Sequence, residues 1–346
     1  MEGICRSLIR YGLLSVAPIA AAALLAATAL PALAAEKYPT RPVRVIVPFP
    51  PGGSTDFNAR AIQDKFSDVL GQQVVVDNRG GASGQIGTRI AKDSAPDGYT
   101  LLLHTIAFVS SPVLYKDAGY DPVRDFAPIS LIATVPTTVS VHPSVPVNSV
   151  KELLALAKAK GDQLIYASAG IGTNAHITGE LFNLMGQTNI RPIHYKGGGP
   201  ALAAVVSGEV QVGFSNITQT ARLAEAGRLK MLAVSSLKRS PSMPNLPTIA
   251  ESGLPGFEFE AWHILAAPKG TPSAIVEALS QRIKATLSDR VVEQRFEKGG
   301  MDPVPMTPKE TLAYLVGRRM RVVFAVMEQP EPSPTPDHTE MVRSRP

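Results

Sequence analysis

The chain contains few cysteine and aromatic residues. Its 346 residues include one cysteine and one tryptophan, and aromatic residues make up only 6% of the total. A single thiol cannot close an intramolecular disulfide, so disulfides do not hold this fold together. The hydrophobic content of 45% is instead sufficient for ordinary apolar cores.

The N-terminal segment has the order of features that is typical of an export signal. Arg6 and Arg10 precede an apolar run over residues 13–30, and the small residues Ala32-Leu33-Ala34 follow it. This order predicts a cleaved signal peptide over residues 1–35, with a retained membrane anchor as the alternative. The only cysteine lies within this segment, so the mature chain would have no thiol and would work in the periplasm.

Several functional signatures are also missing. The formal charge of +5 becomes +4 once Glu2, Arg6 and Arg10 are removed, and no basic cluster with interleaved aromatics is present. Nucleic-acid binding is therefore not expected, although the mild positive excess suits an anionic ligand. The six histidines form no H-E-x-x-H motif, and no G-x-S-x-G motif occurs. We expect neither a metal site nor a cofactor.

Length and periodicity predict an α/β protein with two lobes. About 310 residues remain after the signal, which exceeds one ordinary domain. Short apolar strands alternate with helical stretches, as in parallel α/β folds. The long β-branched run over residues 129–141 predicts a strand that carries the chain into a second lobe, and the segment over residues 257–267 predicts the return. The predicted boundaries are lobe 1 at residues 36–137 and 262–329, lobe 2 at 138–261, and a disordered Pro-rich tail at 330–346.

Three glycine-rich loops lie between a predicted strand and a predicted helix. They cover residues 49–56, 168–176 and 195–200. Glycine lets a ligand approach the backbone, and the first amides of a helix have no partner within the helix, so such loops attract anions. An ordinary capped turn is the alternative at each of them.

The second loop also contains Gly170-x-Gly172-x-x-Ala175, which imitates a dinucleotide fingerprint. That fingerprint requires an acidic residue at the end of the next strand, but this strand ends in His194-Tyr195-Lys196. A small anion held by backbone amides needs no such acid. The third loop is not a P-loop, because no Gly-Lys-Ser/Thr follows with the required spacing.

Taken together, the motifs resemble one family, the Bug proteins, which are substrate-binding components of tripartite tricarboxylate transporters. The resemblance covers roughly residues 38–310, and many separate motifs carry it in the same order. They include Pro48-Phe49-Pro50-Pro51-Gly52-Gly53-Ser54-Thr55-Asp56, Val76-Asp77-Asn78-Arg79-Gly80-Gly81, Ala95-Pro96-Asp97-Gly98-Tyr99-Thr100, Ser168-Ala169-Gly170-Ile171-Gly172 and Leu246-Pro247-Thr248.

The resemblance implies a type II periplasmic-binding-protein fold, in which two α/β lobes joined by a two-strand hinge close on a ligand in the cleft between them. It also implies a ligand that is a small carboxylate, held largely by backbone amides. The binding residues implied in this way are Phe49, Pro51, Gly52, Gly53, Ser54, Thr55, Asp56, Thr105, Ser168, Ala169, Gly170, Gly172, Thr173, His176 and Ser215.

Three positions depart from the family pattern. Relatives often have an aspartate at the place of Ser215, and its loss disfavours an amino-acid ligand, whose ammonium group needs a carboxylate. His263 stands where a small or polar residue is common, so it is either a distal specificity contact or a hinge residue. The segment Arg318–Phe324 differs from the usual polar closing helix.

These features predict a monomeric, non-catalytic binding protein that delivers its ligand to membrane subunits of a tripartite tricarboxylate-type transporter. One alternative is a loaded partner of a two-component sensor kinase, which would use the same cleft. A second alternative is an exported hydrolase, for which Ser168 and His176 form the only pairing to inspect.

Overall fold

The computed structural model describes residues 38–327. The predicted signal peptide at 1–35 and the predicted tail at 330–346 lie outside the described residues. Within them, no helix has both the length and the hydropathy that crossing a bilayer requires.

The strands form one mixed sheet in the spatial order β2-β1-β3-β9-β4-β7-β5-β6, with β8 and β10 also paired to β4. Parallel strands make up both ends of the sheet, and antiparallel pairs join them in the middle. The strands are β1 Val43–Val47, β2 Val74–Asn78, β3 Thr100–His104, β4 Phe126–Val141, β5 Ile165–Ser168, β6 Arg191–His194, β7 Val212–Asn216, β8 Lys230–Val234, β9 Glu260–Pro268 and β10 Asp302–Pro303.

Helices connect the parallel strands, as the alternating pattern predicted. They are α1 Ser54–Leu70, α2 Gln85–Lys92, α3 Ala107–Leu114, α4 Val150–Lys160, α5 Asn174–Gly186, α6 Gly198–Val206, α7 Ile217–Glu225, α8 Ser273–Leu287, α9 Arg290–Lys298 and α10 Pro308–Met327. Each of α1, α5, α6 and α7 begins within about seven residues of the end of a strand, so its N-terminus lies near the carboxyl end of that strand.

Strand β4 links the two ends of the sheet. Its first part pairs with β9 as far as Pro136↔Glu260, and its last part, from Thr137 onward, pairs with β7 and β8. The strand is continuous through Pro136. A proline has no backbone N–H to donate to a strand ladder. Pro136 lies where the pairing of β4 with β9 ends and its pairing with β7 begins, so the missing donor costs little.

The α/β fold class predicted from the sequence is confirmed. The lobe boundaries predicted at residues 137/138 and 261/262 stay a prediction. Two helices, α3 and α9, have no counterpart among the predicted elements. Helix α8 begins at Ser273, directly after the N-cap residue Pro272.

The atypical C-terminal segment forms part of α10, which packs on α3 and β4. Leu315 of this helix is fully buried, and Tyr314 meets Trp262 of β9 edge to face with ring centroids 5.8 Å apart. An aromatic pair of this kind contributes about 0.5–1.5 kcal/mol beyond its buried area. Through this pair, α10 packs against β9, the strand that also contains His263.

Candidate functional site

A cavity of about 50 Å³ lies beside the carboxyl ends of β1, β3, β5 and β7, which is room for about three to five water molecules. Its wall combines strand ends, helix starts and the loops between them. The lining residues are Phe49, Gly53, Ser54, Thr55, Thr105, Ala169, Thr173, Asn174, Ala175, Gly198, Ala201, Phe214, Ser215, Asn216 and Gln219.

Four helices point their N-termini at this cavity. They are α1, α5, α6 and α7, and in none of them does the N-cap side chain accept a hydrogen bond from the first amides of the helix. Those amides also lack partners within the helix. The N-terminus of a helix carries a partial positive charge, so four such starts around one cavity create an environment that favours an anion.

Two of these N-cap residues are able to cap but have other partners. The Thr173 hydroxyl donates to the carbonyl oxygen of Gly170 at 2.7 Å. The side-chain oxygen of Asn216, Oδ1, accepts from the side-chain amide of Asn174 at 2.5 Å. The other two N-caps, Gly53 and Gly197, have no side chain. The amides at all four starts are therefore left for a ligand or for water.

None of the described residues that line the cavity carries a full charge. The side chains able to bind a ligand are hydroxyls and amides, among them Ser54, Thr105 and Gln219. The Thr105 hydroxyl is buried and has no hydrogen-bond partner among the described residues. A buried hydroxyl without a partner is costly, so this atom is suited to meet a ligand.

The first predicted loop divides into a part that faces the cavity and a part that supports it. Gly53, Ser54 and Thr55 line the cavity together with Phe49, whereas Pro51 and Gly52 are exposed. Gly52 has a φ of +85°, which favours glycine and lets the chain turn into α1.

Asp56, which was also predicted to bind ligand, points into the protein. Its carboxylate accepts from the Gly52 amide at 3.0 Å, from Asn78 at 3.0 Å and from Arg60 at 3.0 Å. Burial opposes its ionisation, but the hydrogen bonds from Arg60, Gly52 and Asn78 outweigh burial and lower its pKa. Asp56 thus holds the loop in shape from behind.

The second predicted loop divides in the same way. Ala169 and Thr173 line the cavity, while Ser168, Gly170, Gly172 and His176 do not. The Ser168 hydroxyl donates to the Gly170 carbonyl at 3.0 Å, and the Gly172 amide donates to His176 Nδ1 at 3.1 Å.

These partners bear directly on the hydrolase alternative. No hydrogen bond joins Ser168 to His176 among the described residues, because each is bound to the loop backbone. A nucleophile must lie within reach of its base, so this pair lacks the required arrangement. The described residues also contain no group of three His, Cys, Asp or Glu side chains that would hold a metal ion.

The two sides of the cleft are in contact. The Ser110 hydroxyl of α3 donates to the Gly172 carbonyl at 2.5 Å. A Cβ atom added at Gly170 would lie 2.7 Å from the Ser83 hydroxyl oxygen, and one added at Gly197 would lie 3.1 Å from Pro50. Glycines at these places let the loops over residues 168–176 and 195–200 approach Ser83 and Pro50.

The remaining predicted positions and the missed ones belong to the same wall. Of the remaining predicted binding residues, Thr105 and Ser215 line the cavity, and Ser215 supplies no charge there. The sequence analysis missed Asn174, Ala175, Gly198, Ala201, Phe214, Asn216 and Gln219. Gly198 belongs to the third glycine-rich loop, so a signal was present there, whereas the exposed Lys196 of that loop does not line the cavity.

A second cavity, of about 340 Å³, lies beside Pro136 of β4, and charged side chains line it. Its wall includes Lys238, Arg239, Glu258, Glu260 and Asp302. Burial raises the pKa of Glu260, and the neighbouring carboxylates of Asp302 and Glu258 raise it further. The contrast with the uncharged cleft makes the cleft the better candidate for binding a carboxylate.

Residues 58–323 match the family described as "Tripartite tricarboxylate transporter family receptor". The chain belongs to this family. The resemblance found in the sequence is thereby confirmed. Protein BugT of Bordetella pertussis is 37% identical to this receptor over 301 residues, which cover 86% of this chain and 91% of BugT.

Solved structures agree with the assignment. The periplasmic binding protein BugD superposes with a TM-score of 0.81 at 37% identity, covering 84% of this receptor and 98% of BugD. A Rhodopseudomonas palustris protein, Rpa4515, described with adipate, also gives a TM-score of 0.81 at 35% identity and covers 84% and 97%. The receptor therefore has the α/β fold of these periplasmic binding proteins, and these relatives are binding proteins.

Proposed function

We propose that this receptor is a periplasmic solute-binding protein that captures a small organic carboxylate by closing its two lobes. The observation that carries the proposal is the convergence of four uncapped helix starts on one uncharged cavity. Backbone amides in that arrangement stabilise an anion without a cationic side chain. The relative described with adipate supports the same ligand class.

In the proposed cycle, the ligand shifts an equilibrium between open and closed lobes. A ligand that contacts loops of both lobes binds the closed form better and therefore populates it. The contact from Ser110 to Gly172 belongs to that closed form. The loaded receptor then delivers its ligand to the membrane subunits of a tripartite tricarboxylate-type transporter. We also propose that the carboxylate ligands lack an ammonium group, because Ser215 offers it no counter-charge.

Calorimetry and thermal shift on the mature protein test this proposal. The probes are unbranched dicarboxylates from oxalate to adipate, with aspartate and glutamate as matched amino acids. At least one plain carboxylate should raise the melting temperature and bind, and its amino-acid counterpart should bind more weakly. Mass spectrometry of material that co-purifies with the protein identifies a ligand outside the panel. If no carboxylate binds and none co-purifies, the proposal is wrong.

A further inference from the structure

Three side chains form a chain of contacts that runs from the middle of the sheet to the cavity. Ser54 begins α1 and lines the cavity, and Asn58 lies one turn further along the same helix. His263 is on β9 and fully buried. Its Nε2 atom is 3.3 Å from the Ser54 hydroxyl oxygen, and its Nδ1 atom is 3.3 Å from the Asn58 side-chain nitrogen.

The orientation of the Asn58 amide follows from its surroundings. Its nitrogen lies 2.8 Å from the carbonyl oxygen of Ser54 and 3.3 Å from the sulfur of Met301, and both of these atoms can only accept. Rotating the amide by half a turn would place two oxygens against each other at the shorter contact. The NH₂ group therefore faces His263, so Nδ1 of the ring must accept.

The proton on the ring follows in turn. His263 is fully buried, with no carboxylate among its hydrogen-bond partners in the described part of the chain, and burial lowers its pKa to about 3. The ring is thus neutral at physiological pH. A neutral ring with an accepting Nδ1 carries its hydrogen on Nε2. That hydrogen points at the oxygen of Ser54.

The Ser54 hydroxyl thus accepts from His263 and keeps its own hydrogen for another partner. No acceptor for it occurs among the described protein groups, and the side chain borders the cavity. We propose that Asn58 and His263 hold the Ser54 hydroxyl as a hydrogen-bond donor toward an ionised carboxylate of the ligand. This inference rests on the proposed function and adds His263 as a positioning residue that touches no ligand.

The arrangement has a consequence for specificity. An ionised carboxylate offers only acceptors, whereas a carboxamide offers an acceptor on one side and a donor on the other. A fixed donor at Ser54, next to the amides that begin α1, therefore favours the carboxylate over its amide. The unusual histidine of β9 thereby gains a role in ligand selection.

The tautomer can be measured without any ligand. Long-range ¹H–¹⁵N correlation of the folded protein at pH 7 should show a histidine that is protonated on Nε2 only and whose signals disappear in His263→Gln. A ring protonated on Nδ1, or on both nitrogens, would overturn the inference. This result does not depend on whether the proposed function is correct.

The effect on binding is measured by calorimetry with adipate and adipic acid monoamide as probes. Ser54→Ala should weaken adipate binding about tenfold or more and reduce the preference for adipate over the amide, because a hydrogen bond to a charged group is lost. His263→Leu should weaken binding about threefold or more, and His263→Gln, which retains an N–H near the Nε2 position, should restore most of it.

The double variant separates positioning from general stability. If His263 acts through Ser54, His263→Leu should have no further effect on affinity in the Ser54→Ala background. Additive losses would overturn the inference, and so would a Ser54→Ala protein that keeps its affinity and preference. If adipate and its amide fail to bind the wild type, the proposed function fails for this probe, and the tautomer measurement alone decides the inference.

Discussion

Two groups of helix starts in this receptor are built in opposite ways. Away from the cleft, α4, α9 and α10 begin with side chains that accept from their own first amides: Ser149 from the Glu152 amide at 3.2 Å, Asp289 from the Val291 amide at 3.0 Å and Thr307 from the Glu310 amide at 3.3 Å. At the cleft, α1, α5, α6 and α7 have no such cap.

The comparison shows where the chain keeps its donors free. A missing cap is not sufficient by itself, since α8 also lacks one and does not border the cavity. What distinguishes the cleft is that four uncapped starts meet there, and that the two N-cap side chains able to cap, Thr173 and Asn216, bond elsewhere. A capped helix start stabilises the folded protein through its own hydrogen bond. At an uncapped start in the cleft, a bound ligand would supply that hydrogen bond and stabilise the folded protein instead.

The largest effect should come from giving a cleft helix the cap that it lacks. In Gly53→Asp the new side chain has space, because a Cβ atom there would lie 3.8 Å from its nearest neighbour, the Pro50 carbonyl oxygen. The aspartate would cap α1 and place a negative charge at the proposed carboxylate site. We expect carboxylate binding to weaken more than about a hundredfold while cooperative melting is retained.

Two matched variants identify the cause of that loss. Gly53→Asn supplies a cap without a charge, so it should weaken binding less than Gly53→Asp. Ser149→Asp changes a capped start far from the cleft and should leave affinity unchanged. Binding by Gly53→Asp as tight as that of the wild type would mean that the start of α1 is only a turn.

The next largest effect should appear in how the free energy of unfolding depends on pH at a cleft helix start and at a capped one. At the start of α5 the Gly172 amide donates to His176, whose pKa is lowered to about 4 by burial and, to a smaller extent, by the nearby His194. Since the free side chain titrates near pH 6.5, the unfolded chain binds more protons between pH 6.5 and 4. This contribution to stability is fully present above about pH 6.5 and is lost as the pH falls through 4.

The slope is the quantity to measure. Urea unfolding at several pH values should give a free energy of unfolding that falls by up to about 1.4 kcal/mol per pH unit from this histidine, and His176→Gln should reduce the slope by that amount. The cap of α9 should lose its contribution to stability only at lower pH. Hydrogen bonds from Lys65 and the helix amides hold the pKa of Asp289 below its usual value of 3.8, so this carboxylate stays ionised while His176 titrates. An unchanged slope in His176→Gln would show that this start does not depend on the neutral ring.

A smaller effect is expected from the contact across the cleft. Ser110→Ala removes the hydroxyl that donates to the buried Gly172 carbonyl, a contact that belongs to the closed form in the proposed cycle. We expect carboxylate affinity to fall about three- to tenfold, which corresponds to about 1 kcal/mol. Ser94→Ala removes a local bond from the segment that follows α2 to the Ile90 carbonyl and serves as the control. Equal affinities in the two variants would argue against a closing role for Ser110.

The smallest effect concerns the distant caps and should appear in stability alone. Ser149→Ala should lower the free energy of unfolding by about 1 kcal/mol, because the Glu152 amide loses its acceptor. Affinity should not change, since α4 does not border the cavity. Chemical unfolding and calorimetry on the same preparation measure both quantities, and a clear loss of affinity would remove the distinction between the two groups.

Local signals were enough to predict most of the fold. The run over residues 129–141 predicted β4, which ends at the same residue, and the segment over residues 257–267 predicted β9, because extended apolar runs are typical of buried strands. Helix α3 was missed because Pro112 lies inside it, and packing of the buried Phe108 against Phe126 and Tyr120 outweighs that break.

The candidate site was harder to predict because it combines distant parts of the chain. The glycine-rich loops indicated the starts of α1, α5 and α6 but not that of α7, and nothing local revealed that Asp56 turns inward to bind Asn78. The contact between His263 and Ser54 joins residues 209 positions apart. A single sequence shows that His263 is unusual, and only the folded chain shows what the ring contacts.

The uncharged wall of the cavity also affects how fast a ligand arrives. A site lined by lysine or arginine attracts anions over several ångströms, and dissolved salt screens that attraction. Helix starts act only at short range and add little to such steering. Association of a carboxylate with this cleft should therefore depend weakly on ionic strength, so that the receptor would work at similar speed in dilute and in salty surroundings.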